Sequence, residues 1–236
     1  MKISVVLLFY FFSRMAFSDI SITDNGKALL SIVNLSIKTT RNYWKPMYSI
    51  EEDQAASTIK KMTENRYQEK ILLTKTRASY AGFLENLEKL LNNSNIKIID
   101  IILYVHGFRE SSPFGAAVEF VDQDPIKVTL IAEDIQKIPG YEENKHKLRM
   151  LYSDACWGNQ HLSQWLSAGF KVVNGATAYD VNWSVDVKAF LTKWFDGQTY
   201  LAAMTFANKF NKDYLFPKSM EAGSHKDILG DGSISY

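Results

Sequence analysis

Among the 236 residues there is one cysteine, Cys156, and there are four histidines, His106, His146, His161 and His225. A thiol attacks as the thiolate, and an imidazole close by can lower its pKa and manage its proton, which is the arrangement acyl transfer needs. Two of these residues follow the most apolar stretches of the chain. His106 directly succeeds Ile96–Val105 (IKIIDIILYV), and Cys156 succeeds Leu148–Tyr152 (LRMLY) through Ser153, Asp154 and Ala155. In open parallel sheets, sites gather in the crevice beyond the carboxyl ends of the strands. If the two strands are neighbours, imidazole and thiol face one crevice. Gly107 leaves a backbone N–H accessible there. With the N–H of Cys156 it would form an oxyanion hole, worth about 3 kcal/mol per donor.

Taken singly, each residue has a plainer explanation. Free cysteine is commonly a small buried hydrophobe, and a histidine at a strand end is unremarkable in itself. The conjunction carries the catalytic reading, because both groups end buried strands and one of them is the sole thiol. His146, in a charged stretch, is expected to be solvated, His161 to lie at the surface, and His225 to sit in a loosely ordered polar tail. No two histidines have zinc-ligand spacing, and one cysteine does not complete a structural zinc site. No metal or other cofactor is expected.

The elements that must position these groups follow from periodicity. Ser21–Lys38 reads as β structure with a turn at Asp24-Asn25-Gly26, Glu51–Tyr67 as a polar helix, and Lys70–Leu73 as a short strand. Ala78–Leu91 has helical spacing. Ile96–Val105 does not alternate and suits a strand buried on both faces. Val118–Val121 and Val128–Ile131 are expected to form a hairpin around Asp122–Pro125, with a short helix leading on to Pro139-Gly140. After the Leu148–Tyr152 strand come a helix at His161–Ala168, a strand at Phe170–Val173, and helices at Val185–Asp196 and Tyr200–Phe210. Strands alternating with helices predict an α/β, doubly wound, mostly parallel sheet flanked by helices, with a small β-hairpin insertion.

The composition, 46% hydrophobic and 22% charged, is that of an ordinary globular domain. Residues 1–18 read as a secretory signal peptide: Lys2, then the apolar Val5–Phe12, then Ala16-Phe17-Ser18 ahead of a cut before Asp19. The apolar run is broken by Ser13 and Arg14, short of the roughly 20 residues a spanning helix needs. Loss of Lys2 and Arg14 takes the formal charge from +1 to −1. A near-neutral chain without clustered basic residues is a poor nucleic-acid binder. The expectation is a secreted or periplasmic protein with no membrane span in its mature form, residues 19–236 forming one domain.

The motifs Leu103-Tyr104-Val105-His106-Gly107 and Leu151-Tyr152-Ser153-Asp154-Ala155-Cys156-Trp157-Gly158 resemble those of the cysteine peptidases that include caspases, metacaspases, clostripain, legumain, gingipains and separase. The likeness is nearest to bacterial caspase-like and separase-like (CHAT) domains, and it covers roughly residues 68–212. The resemblance implies a caspase-like fold and a peptide or protein substrate. It implies Cys156 as nucleophile, His106 as general base, and oxyanion donation from the Gly107 and Cys156 backbones. Metacaspase-like and clostripain-like members carry an acid two residues before the cysteine that helps line a pocket for Arg or Lys. Asp154 stands at that position, with Asp180 and Asp186 as further candidates for the pocket floor. The plainer role for Asp154 is a helix N-cap. The glycine-rich stretch that often precedes the family's histidine is replaced by Tyr104-Val105, and Trp157 is bulky for its place. Two other readings stay open. One is a non-catalytic module of the same fold. The other is an α/β-hydrolase, suggested by Ile102–Phe108, although that fold expects a G-x-S-x-G elbow that the sequence lacks.

Overall fold

Apolar runs that cannot be solvated on either side set the architecture. In the computed structural model, residues 26–35, 45–180, 184–210 and 221–236 are described. Residues 1–18, expected from sequence to be a signal peptide, and the expected turn residues Asp24 and Asn25 lie outside them. In chain order the elements are β1 (Lys27–Asn34), α1 (Lys45–Met62), β2 (Glu69–Thr74), α2 (Tyr80–Asn92), β3 (Ile98–Val105), β4 (Gly107–Phe108), β5 (Ala117–Val118) and β6 (Ile126–Lys127). They continue with α3 (Val128–Gln136), α4 (Tyr141–Asn144), β7 (Leu148–Ser153), α5 (Leu162–Ser167), β8 (Val172–Ala176), α6 (Val185–Phe195), α7 (Tyr200–Ala207) and β9 (Lys226–Gly230).

Six strands form one sheet in the order β2-β1-β3-β7-β8-β9, all parallel except the β9 edge. Both faces are covered. Ile99, Ile101, Leu103 and Val105 of β3 point into an apolar layer shared with Phe83 and Leu87 of α2 and Ile131 and Ile135 of α3. Ile102 and Tyr104 point the other way, toward Ile59 of α1, Phe190 and Trp194 of α6, and Met204 of α7. This is why β3 does not alternate in sequence. None of the described helices is long and apolar enough to cross a membrane.

Two expectations need correction. Val128–Ile131 opens α3, and the partner of β5 is the shorter β6 just before it. Val128, Ile131, Ala132 and Ile135 are buried on one face of α3, a helical spacing that the short β-branched start concealed. The C-terminal segment is an ordered sheet edge, β9, rather than a loose tail.

One charge pair is embedded between β3 and β7. Asp100, fully buried, accepts from Arg149 Nε at 2.9 Å and from the Tyr67 hydroxyl at 2.8 Å. The pairing shifts register between Ile99–Leu148 and Asp100–Met150, which makes Arg149 the extra residue of a bulge. Its guanidinium also donates to the Ser235 carbonyl at 3.0 Å and lies over the rings of Trp194 and Tyr236. Removing one partner of such a pair leaves a buried charge uncompensated. Asp100→Asn is expected to lower unfolding stability by about 3–5 kcal/mol in urea titrations. The joint change Asp100→Leu/Arg149→Met should cost much less, because it leaves no charge behind.

Candidate active site

Strand register brings the two sequence-predicted groups to one level. β3 pairs with β7 with Leu103 opposite Ser153, so His106 and Cys156 each lie three residues beyond a matched position. The ladder runs one step further, with the Asp154 N–H donating to the Leu103 carbonyl at 2.8 Å. On the other side, β1 pairs with β3 with Asn34 opposite Val105, which sets Leu35 beside His106. His106 Nε2 meets the Leu35 carbonyl at 2.9 Å. A carbonyl only accepts, so Nε2 carries the proton and Nδ1 is the basic nitrogen. Leu35 is fixed in turn by its own N–H donating to Glu52 of α1 at 3.1 Å, and the Tyr48 ring meets His106 edge-on at 4.8 Å between centroids.

Gly107 is pressed against the Cys156 backbone: a Cβ there would fall 2.0 Å from the Cys156 carbonyl oxygen, so only glycine fits. The Glu119 N–H donates to the His106 carbonyl at 3.1 Å, making Gly107–Val118 the non-hydrogen-bonded pair between β4 and β5. The Gly107 N–H therefore turns away from β5. His161 is fully buried, contrary to its expected surface position, and its Nε2 donates to the Phe108 carbonyl at 3.1 Å. It ties the turn after Cys156 to the strand after His106. Its spacing from Cys156 was visible in sequence; its partner on β4 was not. Trp157 takes a left-handed backbone, φ 57°, and its ring lies between Arg109, 5.7 Å away, and Tyr179, also 5.7 Å away.

The Cys156 thiol accepts from the Asp180 N–H at 3.4 Å. No hydrogen bond joins it to His106 among the described residues. Cys156 is only partly exposed, and burial pushes its thiol up to about 12, with the negative charges of Asp180, Asp154 and Glu51 adding to the effect. Burial lowers His106 to about 4, against the Leu35 hydrogen bond that favours its charged form. At neutral pH both groups are uncharged. The sequence argument expected the imidazole to lower the thiol pKa, but a neutral His106 supplies no positive charge, and desolvation with the neighbouring carboxylates raises the thiol.

Asp154, Asp180 and Asp186 do converge, but on a cation of the chain itself. Lys226 Nζ is 2.7 Å from Asp154 Oδ1 and hydrogen-bonds to both Asp180 Oδ2 and Asp186 Oδ2. Asp154 is thus no helix cap. The acidic oxygens lie within 4.8 Å of one another, a spacing compatible with a metal, yet the ammonium holds that ground. Burial would lower Lys226, but the three carboxylates overcome it and hold its pKa well above the ordinary lysine value. Burial, then repulsion from Asp180 and Asp186, raises Asp154 well above the carboxylate range, and burial likewise raises Asp186. Sequence reasoning missed Lys226 because it expected a loosely ordered polar tail there.

Glu51 of α1 was also missed. It accepts from the Tyr104 hydroxyl at 2.7 Å, and its pKa is raised to about 7 by burial, with further repulsion from Asp180 and Asp186. The polar EED run marked a helix but carried no sign of its proximity to the site.

Comparison with known proteins agrees at the level of fold. No family model and no curated protein matches the sequence. A solved structure of the Drosophila initiator caspase Dronc superposes with a TM-score of 0.55 at 12% identity, covering 89% of this chain and 81% of that one. The fold is caspase-like: a mostly parallel sheet flanked by helices, with a small antiparallel sheet beside it.

Two measurements probe this electrostatic setting. Alkylation of Cys156 by iodoacetamide should accelerate about tenfold per pH unit from 7 to 10 without a plateau, as a thiol held protonated requires. A plateau by pH 8 would contradict the assigned environment. For Glu51, the folded state binds a proton more tightly than the unfolded chain, so its stabilising effect is complete below about pH 4.5 and is lost as pH rises through about 7. Glu51→Gln should therefore remove a stability loss of about 2 kcal/mol that the wild type shows between pH 5 and 8.

Proposed function

We propose that this chain is a secreted cysteine endopeptidase that cleaves peptide bonds after Arg or Lys, with residues 1–18 as its export leader. The order of its motifs favours a bacterial CHAT-type branch of the caspase-like fold. One observation carries the reading: His106-Gly107 and Cys156 end adjacent parallel strands at one level, and Gly107 lies against the Cys156 backbone.

In the proposed reaction Cys156 Sγ attacks the scissile carbonyl carbon while its proton passes to Nδ1 of His106. Starting from neutral thiol and neutral imidazole, proton transfer accompanies attack. The N–H groups of Gly107 and Cys156 receive the oxyanion. The C–N bond then breaks, and His106 returns its proton to the leaving amine. Water, deprotonated by His106, hydrolyses the thioester and frees the acid and the thiol. The Leu35 carbonyl keeps the imidazole in the tautomer this requires, and the Tyr48 ring packs against it. Asp154, Asp180 and Asp186 supply the carboxylates suited to a basic side chain, and their pairing with Lys226 supports an affinity for alkylammonium groups.

A second reading, a non-catalytic binding module, draws on the high thiol pKa and the missing thiol–imidazole hydrogen bond. Fluorogenic peptides with Arg, Lys, Asn or Asp before the scissile bond separate the two. The peptidase should turn over the Arg and Lys substrates, and Cys156→Ala and His106→Asn should each lower kcat/KM by about a thousandfold or more. Cleavage of the Asp peptide alone would retain the dyad and discard the basic preference. No cleavage of any peptide by the folded protein would favour the binding module.

A further inference from the structure

Lys226 is unusual among the charged residues. It is 1% exposed, carries three carboxylate partners, and stands beside the nucleophile through Asp180, whose N–H holds the Cys156 thiol and whose carboxylate holds the ammonium. Its backbone is fixed: β9 pairs with β8 with Lys226 opposite Ala176, and Asn208 bonds both the N–H and the carbonyl of Lys226. The ammonium is therefore a built-in, buried part of the acidic cluster beside Cys156. An outside cation reaches the same oxygens only by displacing a tethered one.

We infer that Lys226 is the specificity-determining residue of the cleft: its ammonium takes the place that three carboxylates prepare for a basic side chain, and so limits how well Arg or Lys is accepted. The assignment rests on the peptidase reading for its link to substrate, but its binding chemistry does not. Three carboxyl groups around one ammonium leave an excess of acceptors, and removing the ammonium leaves an acceptor-lined, ammonium-sized vacancy beside Cys156. The ligand such a vacancy takes is a primary alkylammonium or a guanidinium.

The test uses the purified protein and Lys226→Ala, with n-butylammonium and agmatine as probes and n-butanol as the uncharged control, read by calorimetry and thermal shift. Lys226→Ala should bind both cations saturably and at least about tenfold more tightly than the wild type, with no gain for butanol. It should also raise kcat/KM for Arg and Lys peptides by about the same factor relative to an Asn peptide. A folded Lys226→Ala that gains neither cation binding nor preference overturns the assignment. If the variant folds only when butylammonium is present during refolding, the assignment is supported. If it fails to fold even then, the cluster accepts only its tethered cation and the assignment falls. Should no variant cleave any peptide while Lys226→Ala alone binds the cations, the peptidase reading fails and the assignment of Lys226 holds.

Discussion

The parallel pairing of β3 with its two neighbours is the constraint on which the site depends. Leu103 opposite Ser153 and Asn34 opposite Val105 fix three chain segments at one level as they leave the sheet. From that level come the imidazole, the thiol and the carbonyl that orients the imidazole. A one-residue slip in either pairing would turn the side chains of that strand to the opposite face and separate the groups. Beyond the ladder, side chains continue the alignment. Asn174 accepts from the Ser153 N–H and donates to its carbonyl at 2.9 Å, and His161 spans the two loops. The positions of His106 and Cys156 thus follow from backbone hydrogen bonds made mostly outside the cleft.

Charge on one side of the sheet is arranged in two buried clusters. Asp100 and Arg149 occupy the end nearer the strand starts, and Lys226 with its three carboxylates occupies the end beside Cys156. Between them lie Tyr152, Phe190, Trp194 and Tyr200, an aromatic layer with ring contacts from one residue to the next. Both clusters draw on the last residues of the chain: Ser235 and Tyr236 meet Arg149, and Lys226 meets the aspartates. A buried cation left alone would be strongly destabilising, so the C-terminal strand and the core charges require one another.

The mostly parallel sheet and the two motif ends were legible because they rest on local signals, whereas the strand order was not read. Long apolar runs have one physical solution at this chain length, and His106-Gly107 and Asp154-Ala155-Cys156 sit at the ends of such runs. The carboxylates at 154, 180 and 186 were also readable as a group. What could not be read was their partner, because a lysine near the chain end is normally solvated, and only antiparallel docking of β9 on β8 buries it. The same limit hid Tyr48, Glu51 and Glu52, which reach the site from a helix whose sequence shows no strong apolar stripe. At Val128–Ile131 a run of apolar and β-branched residues was ambiguous between strand and helix, and the packing of α3 on the sheet decided it.

The electrostatics of nucleophile and pocket are not independent. Asp180 touches both, through its N–H on the thiol and its carboxylate on Lys226. Its charge, the largest of those acting on Cys156, opposes formation of a thiolate there. The same charges favour any cation entering the cleft, Lys226 included. Acidic ground beside the thiol therefore disfavours its thiolate through space, and an ammonium paired with the carboxylates reduces that penalty. Burial keeps the remaining negative charge low by a second route, holding Asp154 and Asp186 toward their protonated forms. Lys226 thus occupies the acidic ground and offsets its charge.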